Sequence, residues 1–233
     1  MNEAGHQLVA SMGLERPTRV RYGIVAVTAF AALWMYIDRV CFSTLAKPIG
    51  AELGIADDEM SWVLGAFFFT YALFQVPIGA LADRFGPRLI LSLAIVAWSL
   101  CTAATAFAVG AAALLAVRLG LGVCEAGAYP AAASLIRRWS AVAERGLLSS
   151  IVSFGGRIGG AVAPFLTAFT ALTLLGDPAH ETQNWRGVFL LYGISGIIAA
   201  LLFWFVVRDT PDAHPWANPA EAARVPPPPP PAS

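Results

Sequence analysis

The sequence predicts an all-α membrane protein of six transmembrane helices, and three observations carry that prediction. Of the 233 residues, 58% are hydrophobic and only 13% charged, whereas a soluble domain carries about 25% charged residues. Six apolar segments are each long enough for a hydrocarbon core, which takes roughly 20 residues. Basic residues favour alternate connections between those segments.

The segments run from Tyr22 to Thr44, Ser61 to Leu81, Leu89 to Val109, Ala112 to Ile136, Leu147 to Leu174 and Val188 to Val207. Gly and Pro interrupt several of them, which membrane helices tolerate. Arg16, Arg19 and Arg21 precede the first segment, which resembles a signal peptide in that respect. Five further apolar segments make it read as a retained anchor. Arg84 and Arg88 lie in the second connection, and Arg137, Arg138 and Arg145 in the fourth; Arg208 follows the sixth segment. The first connection is mainly acidic (Glu52, Asp57, Asp58 and Glu59 against Lys47), and the third is uncharged. The fifth holds Asp177, His180 and Glu181 before Arg186. The positive-inside rule then puts both termini in the cytoplasm of a multi-pass protein of the cell inner (plasma) membrane. The expected organisation is a tail over 1–20, a six-helix bundle over 21–208 and a Pro-rich tail over 209–233. The run Pro226 to Pro231 predicts that this last tail is extended and solvated.

Other function classes find little support. Net charge is zero, so nothing points to nucleic acid. Cys41, Cys101 and Cys124 are odd in number and lie in apolar segments, as small apolar fillers do. No nucleophile–base set, metal-ligand spacing or phosphate-binding loop is present. Hence no enzyme, cofactor or metal is expected. His6, His180 and His214 all fall outside the apolar segments.

Ionisable groups inside a membrane are costly, at about 2.5–3.5 kcal/mol or more each at a helix centre, and so mark pairs or functional sites. The first segment holds Asp38 and Arg39; the fourth holds Arg118 and Glu125. Arg118 and Glu125 are two turns apart and share one helix face. If the first and fourth helices face each other, these four groups meet at similar depth. They read either as a structural ion-pair network or as a site that handles protons and anions, because burial and neighbouring arginines act oppositely on a carboxyl. Arg157, within Gly155 to Gly160, is either a cavity cation or an interfacial arginine. Tyr71, Gln75 and Tyr129 are packing residues or neutral hydrogen-bonding partners.

The stretch Gly79-Ala80-Leu81-Ala82-Asp83-Arg84-Phe85-Gly86-Pro87-Arg88 resembles the loop between helices two and three of the major facilitator superfamily. Arg118 to Pro130, with Arg118, Gly122, Glu125, Ala126, Gly127 and Pro130 at matching offsets, and Tyr36-Ile37-Asp38-Arg39, resemble its anion:cation symporter branch. Trp185-Arg186, Pro211 and His214-Pro215-Trp216 look like the same group. The resemblance implies a secondary transporter moving organic anions, such as sugar acids or hexuronates, by symport with protons. It implies that Arg39 contacts the substrate carboxylate, with Tyr36, Tyr71, Gln75 and Arg157 as further substrate-binding candidates. Glu125 and Asp38 would carry the proton, and Arg118 would pair with them. Gly79, Asp83, Arg84, Gly86 and Arg88 would form a gating latch. Members of the superfamily have twelve helices in two halves, so only the N-terminal half is matched. A second half-transporter or a self-dimer is then expected as partner, with membrane lipid around it. The alternative is a truncated, non-transporting membrane protein, acting as sensor, scaffold or remnant.

Overall fold

The computed structural model describes residues 16–176 and 184–225. His6, Asp177, His180, Glu181 and the run Pro226 to Pro231 lie outside the described residues. Six spans long and apolar enough to cross a membrane are present. They are built from α1 (Val20–Leu53), α2 (Asp57–Phe85), α3 (Pro87–Thr105), α4 (Ala111–Ala126), α5 (Ala128–Trp139), α6 (Arg145–Phe169) and α7 (Trp185–Val206). The fourth span is α4 and α5, joined at Gly127; the fifth is α6, extended by a single π-helical turn over Thr170–Leu174.

The helices outrun the apolar segments that predict them. Helix α1 continues nine residues past Thr44, through Lys47 and Glu52, to Leu53. Its backbone needs no apolar side chains to keep hydrogen-bonding once it reaches water. It stops at Gly54, whose φ of 65° is left-handed and whose N–H donates to the Gly50 carbonyl. Asp57, Asp58 and Glu59 then occupy the first turn of α2, where the helix dipole favours acids. Helix α2 ends at Gly86, with φ of 96°, and Pro87 opens α3. Asn184 caps α7 by accepting a 2.8 Å hydrogen bond from the Gly187 N–H.

Helices pack in pairs: α1 on α6, α2 on α4, and α3 on α7. Small residues set the closeness of these contacts, as expected where lipid removes the hydrophobic driving force. A Cβ added at Gly159 of α6 would fall on the Leu33 carbonyl of α1, and one at Gly155 would lie 2.5 Å from the Ala29 carbonyl oxygen. Across α2 and α4, the Thr70 hydroxyl donates to the Leu119 carbonyl at 2.8 Å. Two apolar clusters result. One holds Met35, Phe67, Trp98 and Leu121; the other holds Ile37, Phe42, Val63, Leu114 and Phe189. Asp38 and Arg118 sit where one cluster gives way to the other. Elsewhere Trp62, Val76 and Phe165 are largely exposed, a surface suited to lipid or a second bundle.

One expectation changes. The chain after α7 is not extended over its whole length. Residues 209–225 form a 3₁₀ turn at Pro211–Ala213 and α8 (Pro219–Ala222), packed where the two ends of the described chain meet. The polar composition of this strap concealed that its polar groups are used. His214 is buried, with Nε2 3.0 Å from the Val206 carbonyl oxygen and its ring edge-on to Trp139 and Trp216. Asn218 receives the Thr18 N–H and donates to the Arg16 carbonyl. Glu221 is 1% exposed and binds Arg21 at 2.9 Å.

Candidate functional site

Helices α1 and α4 bring their charges together, as the sequence predicts, but the pairing is selective. Arg39 donates from Nη2 and Nε to the same Glu125 oxygen, Oε2, at 2.7 and 3.0 Å. The other oxygen, Oε1, is buried with no hydrogen-bond partner among the described residues. Arg118 lies on the same α4 face as Glu125, yet it makes no ion pair among the described residues. Its guanidinium carbon instead sits 4.6 Å from the Phe42 ring centre and 4.9 Å from that of Phe67. Its Nε and Nη1 lack hydrogen-bond partners there. The expected pairing of Arg118 with the carboxylates is therefore corrected to an aromatic cradle. Arg39 reaches Glu125 with two donors, and the flat faces of Phe42 and Phe67 receive the second cation.

Asp38 adjoins Arg39 in sequence but points elsewhere, since consecutive helical residues are rotated by about 100°. It is 1% exposed, and neither carboxyl oxygen has a hydrogen-bond partner among the described residues. An ionised carboxylate normally accepts several hydrogen bonds, and burying it without them is costly. The hydrogen-bonding capacity of Asp38 is therefore unmet among the described residues.

Arg39 remains partly open, with 13% of its side chain exposed against 0% for Glu125. Three aromatic faces surround it: Tyr36, Phe67 and Tyr71, at 4.8, 4.8 and 4.7 Å. Tyr36 also meets Tyr129 edge-on at 6.3 Å. Gly156 and Gly160 of α6 make room for Tyr36, because a Cβ at either would lie 3.0 or 3.3 Å from its ring. Tyr36, Tyr71 and Tyr129 are thus brought around Arg39 as a group. Gln75 follows one turn after Tyr71 and is half-buried. Arg157 is not gathered in: it lies on the exposed side of α6, between the glycines that face Tyr36. Phe42 and Phe67 were not singled out in the sequence, where they read as ordinary core. The available signal was their spacing, three residues after Arg39 and four before Tyr71.

The loop motif lies at the end of the bundle where the two ends of the described chain meet, away from this cluster. Asp83 Oδ1 accepts from the Ser134 hydroxyl at 2.7 Å and from Arg137 Nη2 at 3.0 Å, while Arg138 Nη2 donates to the Asp83 carbonyl at 3.2 Å. It ties α2 to α5. Gly79 makes that approach close, since a Cβ there would lie 3.0 Å from Pro130 Cβ. A Cβ at Gly86 would press on the Asp209 carboxylate, whose Oδ1 receives the Arg88 N–H at 2.9 Å. Arg88 stacks 3.8 Å over Trp204 and donates to the Trp204 carbonyl. Arg84 is exposed beside Phe85.

Six spans long and apolar enough to cross a membrane, with buried charged side chains among them, define a multi-pass membrane protein. A profile of the Major Facilitator Superfamily matches residues 24–231, and the chain belongs to that family. It is 31% identical over 201 residues to a Cupriavidus necator protein named "Probable sulfoacetate transporter SauU", covering 86% of this chain and 45% of that one. It is 32% identical to an Escherichia coli D-galactonate transporter, over 84% of this chain and 43% of the relative. Among solved structures, a bacterial homologue of the human lysosomal transporter Spinster, inward-facing and unoccupied, superposes with a TM-score of 0.72 at 27% identity. That match covers 84% of this chain and 45% of the other. The xylose transporter XylE of E. coli, inward open, shares the fold with a TM-score of 0.68 at 18% identity, over 82% of this chain and 49% of its own. The chain spans about half the length of the curated relatives it matches.

Proposed function

We propose that the chain is the substrate- and proton-handling half of a symporter for small organic anions, with sugar acids and related carboxylates as the substrate class. The carrying observation is the Arg39–Glu125 pair, in which one guanidinium serves one carboxylate oxygen while the second oxygen has no partner among the described residues. An incoming carboxylate approaches the open face of Arg39 between Tyr36 and Tyr71 and competes with Glu125 for the guanidinium. Glu125, once displaced, lies in an apolar pocket and takes up a proton. Substrate and proton are thereby coupled through one arginine. Asp38 serves as a second proton carrier, Arg118 biases the field from its aromatic cradle, and Gln75 and Arg157 extend the substrate surface. The relatives named for sulfoacetate and galactonate support an anionic substrate.

The cavity closes against a second six-helix bundle, supplied by a second half or by another copy of the chain. The Asp83–Ser134–Arg137 contacts act as the gating latch at the cytoplasmic face, in an inner (plasma) membrane with both termini inside. The test is uptake of labelled sugar acids into vesicles holding the full chain. Wild type is expected to accumulate substrate down an imposed proton gradient. Arg39→Ala is expected to lose substrate binding and Glu125→Gln to lose proton drive. Equal proton-driven uptake in wild type and both variants sinks the site assignment; no uptake by wild type favours either a chain that needs a separate second half or a non-transporting membrane protein.

A further inference from the structure

Two of the three cysteines meet. Cys101 of α3 and Cys124 of α4 place their sulfurs 4.0 Å apart, both half-buried. The opposing helix surface leaves space for this. Gly120, one turn before Cys124, has no side chain, and a Cβ there would rest 3.6 Å from the Cys101 sulfur. A disulfide needs sulfurs about 2.05 Å apart, so side-chain rotation must close roughly 2 Å between two helices already in contact. The third cysteine is an internal contrast. Cys41 is wholly buried and its thiol donates to the Asp38 carbonyl at 3.0 Å, whereas the sulfur contact joins Cys101 to Cys124.

We propose that Cys101 and Cys124 form a modification site: a thiol pair that two-electron thiol oxidants close into a disulfide, tying the third span to the fourth one residue before Glu125. The step is balanced. Two S–H bonds break, one S–S bond forms, and two protons and two electrons pass to the oxidant. With an azodicarboxamide such as diamide, they reduce its N=N bond to HN–NH. Thiol reductants reverse the reaction.

The test counts free thiols on the full chain in detergent: diamide treatment, denaturation, then tagging with a polyethylene-glycol maleimide. Reduced protein is expected to take three tags, one per free cysteine. Oxidised protein is expected to take one, run as a monomer without reductant, and regain three after dithiothreitol. Cys41→Ser is expected to fall from two tags to none, whereas Cys101→Ser keeps two throughout. Retention of three tags after diamide overturns the proposal. So does equal loss in Cys101→Ser, or loss that appears only as a disulfide-linked dimer.

Discussion

Two buried ion pairs among the described residues, Arg21–Glu221 and Arg39–Glu125, treat their carboxylates differently. Where the two ends of the described chain meet, Arg21 is 7% exposed and Glu221 1%, and the Glu221 carboxylate is fully used. Its Oε1 accepts from Arg21 Nη1 at 3.0 Å and its Oε2 from the same nitrogen at 2.9 Å. Glu144 pairs with Arg224 at 2.8 Å and approaches Arg21 at 3.4 Å, where Arg21 Nε and Glu144 Oε2 keep no hydrogen-bond partner among the described residues. Within the spans, the Arg39–Glu125 pair leaves Glu125 Oε1, both Asp38 oxygens and two Arg118 nitrogens without hydrogen-bond partners among the described residues. A fully bonded carboxylate such as that of Glu221 holds a shape. An open one keeps unspent valences that a ligand or a proton can fill, and it survives only where that capacity is worth its cost.

The sharpest contrast is in stability. Arg21→Ala leaves Glu221 buried and unpaired, and breaking such a pair costs about 3 kcal/mol or more. Its unfolding midpoint in detergent is expected to fall well below that of wild type, with the strap over residues 209–225 becoming protease-sensitive first. Asp38→Asn removes no partner at all, so its midpoint is expected to stay within about 1 kcal/mol of wild type, on either side. A large loss there would show that Asp38 is structural and collapse the distinction. Between these lies Arg118→Met, which keeps the volume but loses the cation over Phe42 and Phe67. Desolvated contacts of that kind are worth up to about 2 kcal/mol, offset by relief of the unpartnered guanidinium. The expected net change is under about 1 kcal/mol, measured by the same denaturation. Arg137→Ala is expected to matter least for stability. The Arg137–Asp83 ion pair is half exposed on both sides, and exposed pairs contribute about 0–1 kcal/mol.

The sequence carried much of the fold and part of the site, for reasons particular residues make plain. All six spans were legible because lipid demands long apolar runs. The end of α1 was not, because Lys47 and Glu52 leave the hydrocarbon while the helix continues to Gly54. The two-turn spacing of Arg118 and Glu125 placed them on one face. It could not say that Arg39 would take Glu125 and leave Arg118 to Phe42 and Phe67, since that choice depends on how α1 and α4 are set against each other. The strap was hidden for a similar reason: Glu221 and His214 gain their meaning only from Arg21 and Trp139, more than 70 residues away in the chain.

The proposed assignment gives transport to the Arg39–Glu125 cluster and the frame to the Arg21–Glu221 pair. It is tested most directly by proton-gradient-driven uptake of labelled D-galactonate in vesicles, comparing Glu125→Gln with Glu221→Gln per folded molecule. The account predicts that Glu125→Gln falls to the level of empty vesicles, while Glu221→Gln, although less stable, retains gradient-driven uptake. Gradient-driven uptake that persists in Glu125→Gln and is lost in folded Glu221→Gln would contradict it.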